Sequence, residues 1–213
     1  MDRGIFITFE GGEGCGKSTQ IALLKKFLEE SGREVVQTRE PGGAPLSEKI
    51  RQLLLFAKEG DAMDARTEIL LFEAARSQHT VQTVMPALQS GKVVLCDRYA
   101  DSTTAYQGAA RALPAEDVRA LNKFATHSLE PDLTILLDVP VEEGLARANR
   151  RDGGKSDRMG AQSVAFYNAV RNSFLELARE NPHRFEVICS SGTPEETFEK
   201  IKTAVLKRLA QNG

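Results

Sequence analysis

The segment Gly11-Gly12-Glu13-Gly14-Cys15-Gly16-Lys17-Ser18 constrains this chain more than any other feature. It satisfies G-x-x-x-x-G-K-[ST], follows the apolar run at residues 5–9 and leads into a helical pattern that begins at Lys17. Glycines in such a loop let successive backbone N–H groups face phosphate oxygens, and the helix start adds its positive end. Lys17 is then placed for β- and γ-phosphates and the Ser18 hydroxyl for Mg²⁺. The dinucleotide fingerprint G-x-G-x-x-G fails, because Gly12-Glu13-Gly14 is followed by Lys17 where a glycine or alanine belongs. The motif predicts a nucleoside-triphosphate site on a strand-loop-helix unit.

The rest of the chain is compatible with that unit. Five short β-rich runs occur at residues 5–9, 34–38, 92–97, 133–138 and 185–189, and all but the last are continuous rather than alternating. Such runs predict strands buried on both faces of a parallel sheet. Helical patterns fall between them at 17–30, 46–57, 65–89, 102–109, 115–128, 141–150 and 161–179, with a last one at 194–209. The last follows Thr193 with Glu196 three residues on, a capping box. Strand-helix alternation predicts right-handed βαβ crossovers, hence an α/β P-loop fold with a five-stranded parallel sheet in a single domain over 1–213. Met85-Pro86 predicts a kink or restart inside 65–89.

Charge and cysteine usage narrow the partners. Lys+Arg 28 against Asp+Glu 30 gives a formal net charge of -2, so a chain-wide basic footprint for a nucleic acid polymer or an anionic membrane is absent. Cys15, Cys96 and Cys189 show no metal spacing, and Cys96 and Cys189, which end apolar runs, are expected to be buried thiols. With no leader pattern and no long apolar run, the expected location is cytoplasmic. The segment 147–158 carries Arg147, Arg150, Arg151, Lys155 and Arg158 around Gly153-Gly154, and by itself reads as a solvated helix end and loop.

A phosphoryl acceptor needs cations at strand ends, where open α/β sheets bind ligands. Arg39-Glu40-Pro41-Gly42-Gly43 ends the second run. Asp97-Arg98-Tyr99 ends the third, with Asp97 placed as a Walker-type carboxylate for Mg²⁺ and Arg98 able to fork onto a phosphate. Phe72 and Arg76, four apart, share a helix face and could stack a base and bond its edge. Asp101 or Ser102 opens the next helix, as an N-cap or as a pocket residue. Asn122-Lys123-Phe124-Ala125 lacks the aspartate of a guanine-binding N-K-x-D, and Asp157–Gly160 fits D-x-x-G without a preceding strand. A small-molecule kinase remains, for a nucleotide or deoxynucleoside, beside a non-catalytic nucleotide sensor.

Taken together, Phe9-Glu10-Gly11 through Ser18-Thr19-Gln20, Arg39-Glu40-Pro41-Gly42-Gly43, Phe72-Glu73-Ala74-Ala75-Arg76, Asp97-Arg98-Tyr99 and Ala105-Tyr106-Gln107-Gly108 resemble the bacterial thymidylate kinases, as do Pro131-Asp132-Leu133 and Asp157-Arg158. The resemblance implies Mg²⁺-dependent transfer of the γ-phosphoryl group of ATP to dTMP by a homodimer. It implies that Gly11, Gly12, Glu13, Gly14, Cys15, Gly16, Lys17, Ser18 and Thr19 bind ATP, with Ser18 and Asp97 on the metal. It further implies that Phe72 stacks on thymine, that Arg76 bonds its carbonyl edge, and that Arg39 and Arg98 hold the dTMP phosphate. Glu13 would contact the sugar 3′-hydroxyl, Tyr106 would lie under the deoxyribose, and Ser102 and Gln107 would line the base pocket. Pro41 would follow a cis bond. Some relatives carry arginine inside the P-loop where this chain has Gly14. The resemblance therefore turns the basic segment 147–158 into a lid, with Arg147 and Arg151 as the suppliers of that charge.

Overall fold

The computed structural model describes residues 3–57, 63–153 and 162–211. Lys155, Asp157, Arg158 and Gly160, which carry the far part of the expected lid and the D-x-x-G match, lie outside the described residues. Five parallel strands, β1 (Phe6–Glu10), β2 (Val35–Arg39), β3 (Val93–Asp97), β4 (Leu133–Asp138) and β5 (Phe185–Cys189), form one sheet in the order β2-β3-β1-β4-β5. The apolar runs become strands because both faces are covered: β1 and β4 carry buried side chains on each side.

Helices α1 (Lys17–Glu30) and α9 (Pro194–Gln211) close one face over a core that includes Ile7, Phe9, Ile21, Leu24, Ile135 and Ile201. On the other face lie α3 (Ala65–His79), α4 (Met85–Gln89), α5 (Ala100–Thr103) and α8 (Val164–Glu180), with α2 (Pro45–Phe56) and α6 (Ala115–Ala125) packed against α3. Helix α7 (Val141–Asp152) follows β4. Among the described residues no helix is long and apolar enough to cross a membrane.

Local chemistry explains the boundaries. Thr193 and Glu196 form the expected reciprocal cap, with Glu196 N donating to Thr193 Oγ1 and Thr193 N to Glu196 Oε2. Asp64 and Ser163 accept from backbone N–H groups at the starts of α3 and α8. The expected restart at Met85 is present. A π-helical turn, Thr80–Val84, separates α3 from α4 and absorbs the N–H that Pro86 lacks and the clash its ring would make one turn back. A second π segment, Thr104–Ala110, continues α5.

Two expectations are corrected. Cys189 is exposed, because β5 is an edge strand with only two of its side chains buried, whereas Cys96 and Cys15 are buried. Neither Asp101 nor Ser102 caps α5: the N-cap is Tyr99, Asp101 is paired with Arg184, and Ser102 Oγ donates to Glu10.

Candidate active site

Register brings the ends of the first three strands level. Phe9 lies opposite Asp97, and Asp97 opposite Arg39, so the P-loop, the Asp97-Arg98 turn and Arg39 all leave the sheet at its carboxyl edge around central β1. A cleft of about 930 Å³ opens there. Residues following β2 and β3 line one side of the loop and residues of α7 and the β5–α9 connection line the other. That volume is at the upper end for small-ligand sites.

The P-loop conformation depends on its glycines. Gly14 and Gly16 take φ of 66° and 94°, left-handed values, and Gly16 is the N-cap of α1 without any side-chain partner. The first N–H groups of α1 are left for an anion. Lys17 is buried, and its Nζ donates to Gly11 O at 3.1 Å and Gly12 O at 2.9 Å, which holds the ammonium over the loop. Ser18 and Thr19 are exposed on the first turn, in the wall of the cleft.

Arg98 is the centre of the acceptor side. Its backbone has φ of 69°, rare for a residue with a side chain and a feature concentrated at functional sites. Its guanidinium bonds Glu13 at 2.6 Å and Gly11 O at 3.1 Å, and lies 5.0 Å from the Tyr106 ring centroid. Burial would raise the Glu13 carboxyl, but Arg98, then Lys17, then Arg151 more than offset it and hold it below the ordinary range. Glu13 is thus a carboxylate set among cations, with the Tyr106 hydroxyl 3.3 Å away. Arg39 is half exposed and paired with Glu48 at 3.0 Å. The Glu40–Pro41 bond is cis, and Arg51 donates to Pro41 O.

Phe72 is half-buried in the cleft wall and outside the described core clusters. Arg76 departs from the simple picture of a base-reading arm. It is fully buried, with Nε on Glu40, Nη1 shared among Glu73, Thr103 and Asn122, and Nη2 on Tyr99 O. Of five N–H groups these bonds leave one on Nη2 for a ligand. Asn122, which mimics a guanine motif in sequence, belongs to this network from α6. Gln107 donates to Glu68, and both Gln107 and Ser102 reach the cleft.

Sequence reasoning missed Glu10. Its carboxyl accepts from Tyr99 N at 2.8 Å and Ser102 Oγ at 2.6 Å, spanning the Arg98 turn from the central strand. The motif Phe9-Glu10-Gly11 carried a signal, an acid ending an apolar run, that only these partners explain. Burial, then Asp101, raises this carboxyl from 4.5 to about 8, with Ser102 and Arg98 opposing. The folded protein therefore keeps a proton that the unfolded chain releases, and the stability this contributes is lost as pH rises from 4.5 to about 8. Glu10→Gln cannot ionise, so its Tm should fall less between pH 5 and 8, by roughly 10 °C at about 1.4 kcal/mol per pH unit and about 2–4 °C per kcal/mol. Parallel Tm curves for the two proteins would show that Glu10 does not hold the proton.

Arg147 and Arg151 both line the cleft from α7, yet differ. Arg147 is tied down by Ser190 O, Ser191 O and Glu143. Arg151 acts electrostatically on Glu13 at the centre of the site.

A P-loop on the central strand, a strand-end carboxylate beside it and a second set of cations across one cleft define a P-loop kinase of small phosphorylated acceptors. The thymidylate kinase family model matches residues 9–201. The chain is 50% identical to the thymidylate kinase of Geotalea uraniireducens over 98% of this chain and 99% of that one. It is 48% identical to that of Geobacter sulfurreducens, over 97% and 98% of the two chains. The crystal structure of the Ehrlichia chaffeensis thymidylate kinase superposes with a TM-score of 0.78 at 34% identity, covering 95% of this chain and 99% of that one. The chain belongs to the thymidylate kinase family.

Proposed function

We propose that the protein catalyses transfer of the γ-phosphoryl group of ATP to dTMP, giving dTDP and ADP, with the two nucleotides meeting at the P-loop from opposite sides. The observation that carries this reading is the convergence of Lys17 and Arg98 on Glu13 in one cleft whose far wall holds Phe72. Loop N–H groups and Lys17 hold the donor phosphates, while Arg98 and Arg39 hold the acceptor phosphate in line. Phe72 stacks on the base, and the last N–H of Arg76 reaches its carbonyl edge. Arg76 is pre-oriented by Glu40 and Glu73 and costs little entropy to place. Glu13 and Tyr106 receive the sugar. An acceptor phosphate oxygen is anionic near pH 7, so positioning and charge stabilisation, rather than a strong base, carry the catalysis.

The residues present fit Mg²⁺. Asp97 Oδ1 is buried with no hydrogen-bond partner, and Ser18 offers a hydroxyl to the same cleft, a hard-oxygen set suited to this ion. When bound, the ion neutralises phosphate charge. A homodimer is supported by apolar side chains exposed on α3 and on α2 and α6, which both pack against it: Leu46, Leu53, Phe56, Leu70 and Phe124.

An acceptor panel of dTMP, dUMP, dCMP and thymidine with ATP and Mg²⁺ tests the reading. dTMP should give the highest kcat/KM, and Phe72→Ala should raise the KM for dTMP about tenfold or more with the KM for ATP within twofold. A better acceptor than dTMP, or no dTDP formed, would overturn it. Equal loss at both substrates would make Phe72 a packing residue.

A further inference from the structure

The start of α7 rests on the P-loop through two glycines. A Cβ at Gly14 would lie 2.0 Å from Gly144 O and 3.0 Å from Ala148 N, while a Cβ at Gly144 would lie 2.4 Å from Glu13 O. All three are backbone atoms, so the contact cannot be relieved by turning a side chain. Gly144 is buried and helical, although glycine inside a helix costs about 1 kcal/mol relative to alanine. The close approach of Glu13 O supplies a packing reason for glycine at that position. The same helix carries Arg151 about two turns further on, in the cleft wall.

We infer that Gly144 is a positioning residue: its missing side chain lets α7 dock backbone-to-backbone on Glu13-Gly14 and thereby sets Arg151 toward the transferring phosphoryl group. This rests on the reading of Arg151 as the source of charge there. The docking also makes position 14 and α7 mutually exclusive occupants of one space. A side chain in the loop at Gly14 and a helix seated on the loop cannot coexist in this geometry.

Gly144→Ala raises the helix propensity of α7, so a helix-stability effect would leave activity intact, whereas loss of docking lowers it. The expected result is a kcat at least tenfold down, KM for dTMP within twofold and Tm not reduced by more than a few degrees. Ala146→Gly, on the exposed face of α7, weakens the helix without touching the loop and should keep kcat within twofold. In an Arg151→Ala background, Gly144→Ala should add less than about threefold, because the group it positions is gone. A normal kcat for Gly144→Ala beside a crippled Arg151→Ala overturns the inference and leaves the role of Arg151 standing. Losses that multiply in the double variant also overturn it, since Gly144 would then act on the loop alone. A normal Arg151→Ala enzyme removes the role of Arg151, and the inference with it.

Discussion

Lys17→Ala should leave a folded protein whose kcat is down by at least about 10², the scale of loss when one preorganised donor is removed from a transition state. Among the described residues the ammonium donates only to its own loop, to Gly11 O, Gly12 O and, at 3.5 Å, Cys15 Sγ. Truncation therefore frees two loop carbonyls, and Lys17 belongs to none of the described core clusters. Its charge, by contrast, has no substitute within the loop, since Glu13 is acidic and the remaining positions are glycine and cysteine. The measurement is kcat alongside far-UV circular dichroism and Tm. Turnover near the wild-type value with an unchanged fold would remove the P-loop from the chemistry.

Arg151→Ala and Arg147→Ala should part company, though both arginines occupy α7 four residues apart. An arginine that meets the transferring group contributes on the order of 10³–10⁵ in rate in comparable phosphoryl-transfer enzymes. Arg151, whose field reaches Glu13 between the two phosphate sites, should lose about 10³ in kcat with little change in the KM for dTMP. The Arg147 guanidinium is occupied by Ser190 O, Ser191 O and Glu143, on the side of the cleft served by β5 and α9. Its removal should chiefly raise the KM for ATP. Steady-state kinetics with each substrate varied settles the assignment, and equal kcat losses would sink it.

Much of the fold was legible because its signals are local. Continuous apolar runs need both faces covered, and the P-loop needs a strand before it and a helix after it, so a parallel sheet followed from residue order. Thr193 and Glu196 could be read as a cap from spacing alone. The expected burial of Cys189 fails for a matching reason: an apolar run does not say whether its strand is central or at an edge.

The site divides in the same way. Lys17 in the P-loop motif and Arg39 and Arg98 at strand ends mark a cleft for anions from sequence alone, and so reconcile a net charge of -2 with phosphate chemistry. Sequence patterns depend on near neighbours, and they determined the strand-loop-helix unit, the candidate cations and the family. Tertiary structure decided the rest: that Arg76 is a buried hub held by Glu40 and Glu73, that Glu10 clamps the Arg98 turn, and that Gly14 meets Gly144. Those pairs lie 36, 3, 89, 92 and 130 residues apart in turn, and only the short one falls within the reach of a local sequence pattern. A carboxylate's partner or a missing Cβ acquires meaning when another segment arrives against it, which the crossover connections of the sheet bring about.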